Sequence, residues 1–169
     1  MMQNDGQLEL SLGPARAPRR RAGKSASIAS WRDGAALPYQ GRTLALRLDG
    51  AIGHVELAGD TLCLPLPPAA DDGQIRDRAE GWLQGEARRL LGEHVRRVAA
   101  SLGLPAPVWQ ISLASGVRIE VDRGGCLRLP WRLVQLTPEE IDRRLLRLLM
   151  PLRQRTNLLE IWDGQALPA

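Results

Sequence analysis

Phenylalanine is absent from these 169 residues, tyrosine occurs once, histidine and cysteine occur twice each, and lysine appears once among 23 cationic side chains. Each scarcity removes a class of function. Cys63 and Cys126 form no C-x-x-C pair, so they read as two small buried hydrophobes in a reducing compartment rather than as a disulfide. His54, in a predicted strand, and His94, inside a predicted helix, belong to no motif; His94 reads as a boundary residue of an amphipathic stripe. A metal site built from His54, His94, Cys63 and Cys126 would need four distant residues to converge without any paired spacing. G-x-S-x-G, G-x-x-x-x-G-K-[ST] and G-x-G-x-x-G are all missing, which removes the usual nucleophile elbow and phosphate cradles at motif level. Long apolar runs are missing too. The stretch Leu145-Leu146 is separated from Leu148 to Leu152 by Arg147, far short of the ~20 residues of a membrane span. The start, Met1-Met2-Gln3-Asn4-Asp5-Gly6, lacks a secretory signal pattern, so a cytoplasmic location and no membrane partner are expected.

What is present begins with charge. Residues 1–48 carry eight basic and three acidic side chains, a net +5, while residues 49–169 carry a net −1. The basicity therefore belongs to the N-terminal region. Residues 1–40 read as a disordered, Arg-rich arm: from Gly13 to Pro38 there is almost nothing apolar at a helical or strand period to offset the entropy of ordering. Within it Gln7-Leu8-Glu9-Leu10-Ser11-Leu12 alternates like a strand but is too isolated to stand alone. Arg16, Arg19, Arg20, Arg21 and Lys24 are candidate contacts for weak, salt-sensitive, non-specific nucleic-acid binding.

Order is expected from Gly41 onward, as one domain over residues 41–163 with a tail at 164–169. Thr43–Leu48, His54–Leu57 and Thr61–Leu66 alternate apolar with polar and are punctuated by Asp49-Gly50 and Gly59-Asp60, which predicts a meander of antiparallel strands. Asp71-Asp72 cap a long helix whose residues Ile75, Ala79, Trp82, Leu83, Leu90, Leu91, Val95, Val98 and Leu102 share one face. Gly103, at the position of a left-handed C-cap, ends it. A second antiparallel group is predicted at Val108–Leu113, Val117–Val121 and Cys126–Trp131. Thr137-Pro138-Glu139-Glu140 then opens a helix with a Thr cap, proline at the first position and glutamate at the third. Ile141, Leu145, Leu148 and Leu149 form its buried face and Arg143, Arg144 and Arg147 its solvated one. Strands, helix, strands, helix make an α+β fold.

The run Gly124-Gly125-Cys126-Leu127-Arg128-Leu129-Pro130-Trp131-Arg132-Leu133, continued by Thr137-Pro138-Glu139-Glu140-Ile141-Asp142, resembles the stretch preceding the zinc helix in YgjP-like metallopeptidases, small zincin relatives of the SprT type. Glu80-Gly81-Trp82-Leu83, Glu86-Ala87-Arg88-Arg89 and the Leu102-Gly103-Leu104 exit resemble that family's long helix, and Leu8–Gly13 its N-terminus. The resemblance implies a zincin-type helix, zinc, and peptide hydrolysis through H-E-x-x-H, two histidines one turn apart with a glutamate that polarises the bound water. The corresponding residues here are Arg147, Leu148 and Pro151. A guanidinium does not bind zinc, leucine takes no proton, and proline inside a helix removes a backbone bond. No histidine follows in Thr156–Trp162, and the family's Asn in the Leu-Asn-Trp run is Pro130. Glu139 and Glu140 already have a capping role, Glu160 stands alone, and Trp131 and Trp162, at aromatic positions of the family, read as packing residues.

The expectation is thus a metallopeptidase-like domain without cofactor or catalytic residues, a non-catalytic binding or structural module for an unknown protein or peptide partner. The alternatives are a nucleic-acid accessory protein tethered by the arm and a zinc-dependent hydrolase with a relocated site.

Overall fold

A computed structural model describes residues 30–163, with side chains described as far as Arg153. Alternation decides the first sheet. In β2 (Arg42–Leu48) Leu44 and Leu46 are buried while Thr43, Ala45 and Arg47 are exposed, and in β4 (Thr61–Leu64) Leu62 and Leu64 are buried. With β1 (Ala36–Tyr39) and the three-residue β3 (Glu56–Ala58) they form a sheet of order β1-β2-β4-β3. The apolar face packs on α1 (Asp72–Ser101).

The start expected near Gly41 is corrected, because β1 lies within the segment read as disordered. Leu37 and Tyr39 are buried, and a two-residue turn at Gln40 and Gly41, both with positive φ, returns the chain into β2 with Tyr39 opposite Arg42. Positive φ at both central residues makes a type I′ hairpin, whose twist suits the flanking strands. Pro38 is tolerated because β1 is an edge. The turn is docked: the Gln40 and Gly41 amides donate to the carbonyls of Val134 and Gln135 at 2.7 and 3.2 Å, and a Cβ at Gly41 would collide with Thr137. The Arg-rich arm over residues 1–29 and the tail at 164–169 lie outside the described residues.

The all-antiparallel expectation is also corrected. β3 and β4 do form the hairpin turned by Gly59-Asp60, but β4 runs parallel to β2. Asp49-Gly50 does not close a tight hairpin. The Asp49 amide instead bonds to the Leu64 carbonyl at 2.9 Å, so the following chain crosses to the far side of β4 and β3 becomes the outer strand. The second sheet, β5 (Trp109–Ser112), β6 (Glu120–Val121) and β7 (Leu127–Pro130), repeats this arrangement in the order β5-β7-β6, with β5 parallel and β6 antiparallel to β7. Periodicity identifies a strand and its faces but carries no information on which strand becomes its neighbour.

Local signals fix both helices. Asp71 accepts from the Gln74 amide at 2.9 Å while Gln74 accepts from the Asp71 amide at 3.2 Å, a reciprocal capping box. At the other end Gly103, with φ +68°, and Leu104 donate to Ala100 and Ala99, the paired bonds of a Schellman motif. A 3₁₀ turn (Trp131–Gln135) joins β7 to α2 (Pro138–Asp163), whose Glu140 amide donates to the Thr137 hydroxyl. α2 packs on α1 through Ile141, Leu145 and Leu149, all buried, and the helix continues through Pro151. None of the helices among the described residues is long and apolar enough to cross a membrane.

The single tyrosine joins the first sheet to α1. Its hydroxyl donates to Glu86 at 2.7 Å, its ring lies 5.1 Å from Trp82, and Arg89 holds the other side of the same carboxylate at 2.8 Å. Burial and the bond to an anion push the phenol up to about 12, while the Arg89 bond keeps Glu86 below its usual range. With one tyrosine in the chain, an ultraviolet absorbance titration reads this group alone. Ionisation is expected near pH 12 in the folded protein; a midpoint at the free value of ~10 would mean that the contact is not formed.

Candidate functional site

Arg147, Leu148 and Pro151, which the resemblance sets at the positions of the zinc motif, lie midway along α2. The side chains of Arg147 and Pro151 are exposed and Leu148 is half-buried against the core. Beside them, the loop from Leu104 to Val108 and the α2 residues Leu149 and Leu152 enclose an apolar groove of about 350 Å³. Val108 leads into β5, which among the described residues is an edge strand of the second sheet. Trp109 is seated so closely on α1 that a Cβ at Gly92 would stand 2.9 Å from its ring. Val108 and Leu113, which bracket β5, are 74% and 69% exposed.

On the same two helices lies a polar cluster that local sequence reasoning missed. His94, only 6% exposed, has its Nδ1 2.6 Å from one carboxylate oxygen of Asp142; Arg97 donates to the other oxygen at 2.6 Å and approaches the same Nδ1 at 2.8 Å. Burial would raise the Asp142 pKa, but the bonds from His94 and Arg97 and their charges outweigh it and hold the carboxyl below its usual range. His94 is thus a buried tie between α1 and α2 rather than a boundary residue. The signal available was the i, i+3 placement of His94 and Arg97 on one face, but their partner is 48 residues away.

The other candidates do not converge. His54 is exposed ahead of β3, Cys63 sits half-buried in β4, and Cys126 is half-buried at the entry to β7. Among the described residues no three His, Cys, Asp or Glu side chains are grouped to hold a metal. Glu139 is exposed, while Glu140 is held by Arg143 and by Arg144, which also donates to the Val117 carbonyl at 3.2 Å. Trp131 is buried, with the Arg132 guanidinium 4.3 Å above its ring. The side chains of Glu160 and Trp162, and the whole of Arg16, Arg19, Arg20, Arg21 and Lys24, lie outside the described residues.

The sequence model of the YgjP-like metallopeptidase domain matches residues 15–143, which takes in both sheets, α1 and the first turns of α2. No curated protein and no solved structure matches the chain at a significant level. The family implies zinc, and the donor chemistry described above does not fit it. At the three helix positions to which the resemblance assigns ligands and general base, beyond the matched residues, stand a permanent cation, an aliphatic chain and an imino acid.

Proposed function

The chain belongs to the YgjP-like metallopeptidase domain family, and from that premise we propose that it is a non-catalytic member, a scaffold that binds an extended peptide without cleaving it. One feature of α2 supports the reading: Arg147, Leu148 and Pro151 stand where the resemblance places the family's His, Glu and His. Around that face the peptide-accepting parts remain. Among the described residues β5 is paired on one side only, and the groove at Leu104–Val108 offers an apolar wall beside it. Strand addition uses main-chain bonds for affinity and pockets for alternate side chains, and neither requires a metal.

Elemental analysis of the tag-free protein tests this, together with melting curves with and without a chelator and an assay on an unstructured peptide. Substoichiometric zinc, an unchanged Tm and no cleavage are expected. Zinc at one per chain with a chelator-sensitive Tm would overturn the reading and return His54, His94 and the two cysteines to consideration as ligands.

A further inference from the structure

A second cavity, of about 590 Å³, opens on the first half of α1 and shares no residue with the groove beside α2. Gln74, Arg78 and Trp82 are four residues apart and form one row of the helix, with Asp77 and Gly81 beside them. Val55, just ahead of β3, and Leu66, just beyond β4, make the opposite wall. The lining thus combines three large apolar side chains with one amide, one carboxylate and one guanidinium, the mixture that holds and orients a small ligand, and its volume lies within the ~300–1,000 Å³ of such sites. Trp82 is a fixed wall, because its ring lies 5.1 Å from that of Tyr39, whose hydroxyl is tied to Glu86. The polar groups are available to a ligand. Among the described residues no carboxylate pairs with Arg78. Asp77 meets Arg76 at 3.5 Å with both side chains more than half exposed, a contact that exchanges at little cost. Gln74 uses its Oε1 on the Asp71 amide, which leaves its Nε2 to donate.

We infer that this cavity binds a free α-amino acid with a large apolar side chain. Gly81 lies three residues after Arg78 and four after Asp77, so both charges border the bare helix surface that it leaves. A ligand head placed there sets its carboxylate against the Arg78 guanidinium and the Gln74 amide, and its ammonium against Asp77. The ligand side chain then covers Trp82, Val55 and Leu66, where an aromatic ring finds both a ring to stack on and aliphatic carbon to displace water from. The opposed charges decide the class of ligand. A simple apolar acid leaves Asp77 unanswered, an apolar amine leaves Arg78 unanswered, and an internal peptide segment carries neither charge on its α-carbon. The site belongs to the first sheet and α1, so the inference goes beyond the peptide reading of β5 and stands without it.

Titration of the isotope-labelled full chain with L-phenylalanine, followed by NMR, tests it. Of the five tryptophan indole signals, that of Trp82 is expected to shift saturably. Affinity is expected to fall ~10-fold or more for N-acetyl-L-phenylalanine, which lacks the ammonium, and for L-phenylalaninamide, which lacks the carboxylate. Arg78→Ala is expected to weaken L-phenylalanine by a similar factor and to leave the affinity for the amide unchanged. Gly81→Leu fills the cavity from a position where a Cβ meets nothing within 4 Å, so it is expected to keep or raise Tm and to abolish the shift. Gly85→Ala, equally uncrowded but outside the lining, is expected to retain it. No saturation by about 1 mM ligand would overturn the inference. So would capped forms that bind as tightly as the free amino acid, or binding that survives Gly81→Leu. None of these results touches zinc content or the β5 edge, which bear on the non-catalytic reading alone.

Discussion

Replacing Asp142 with alanine is expected to lower Tm by roughly 5–10 °C at neutral pH, from a loss of about 2 kcal/mol. The carboxylate is the hub of the tie between the helices: one oxygen meets His94 Nδ1 and the other meets Arg97, both at 2.6 Å. Breaking a fully buried pair costs ~3–5 kcal/mol, but Arg97 is 57% exposed, so solvent recovers part of its share. His94, almost fully buried, recovers little and is left with Arg97 as its remaining polar partner. Asp142→Asn separates charge from shape. Because the folded carboxyl titrates below its unfolded value, its contribution is complete above the ordinary carboxylate range and disappears as acid protonates it. The stability gap between wild type and Asp142→Asn is therefore expected to be widest near neutrality and to close below about pH 4. Glu86, held low by Arg89, loses its contribution over the same direction of pH in both proteins and leaves the difference unaffected. Equal melting temperatures at neutral pH would mean that the cluster does not tie α1 to α2.

The contrast between that cluster and the elements around it shows where the sequence is readable. The caps at Asp71 and Thr137 and the C-cap at Gly103 are local, with partners within six residues, and the buried stripe of α1 shows in its own helical period, so spacing alone reveals them. The core leucines of β2, β4 and β7 are similarly exposed to inspection, because a period of two is intrinsic to a half-buried strand. β1 escaped because Ala36-Leu37-Pro38-Tyr39 is short and contains a proline, and its stability comes from Glu86 and the Val134 and Gln135 carbonyls, all far along the chain. The two parallel pairings escaped because strand order is decided by chain crossovers and not by composition. At the positions that the resemblance assigns to the zinc motif the situation is reversed. A linear motif names its residues by spacing, so Arg147, Leu148 and Pro151 could be placed without a fold, and the structure adds that two of them face solvent while Leu148 packs inward. The apolar groove and the open β5 edge beside them needed three dimensions, since Leu104–Val108 and Leu149–Leu152 meet only after α2 folds back on α1.

Substituting histidine at both 147 and 151 is expected to create a zinc site on α2. The two positions lie four residues apart on α2 with exposed side chains, a rise of ~6 Å that lets two imidazoles converge on one ion. The second substitution also repairs the helix. Proline at 151 denies the Arg147 carbonyl its intrahelical donor and crowds it, a defect worth up to about 3 kcal/mol in a helix interior. Pro151→Ala alone is therefore expected to raise Tm without any response to zinc, while Arg147→His/Pro151→His adds a zinc-dependent increment reversed by chelator. At zinc 100-fold above Kd that increment is ~2.7 kcal/mol, on the order of 10 °C. A double variant that melts identically with and without zinc would show that α2 does not present these positions as the family helix presents its ligands. Hydrolysis at such a site would take more, because the resemblance places the general base at 148. Leu148 is packed against the core, so a glutamate there would bring a carboxylate into apolar surroundings that favour its neutral, protonated form. The ligand face of the helix is therefore expected to be recoverable by substitution alone, whereas the base position requires the packing beneath α2 to change with it.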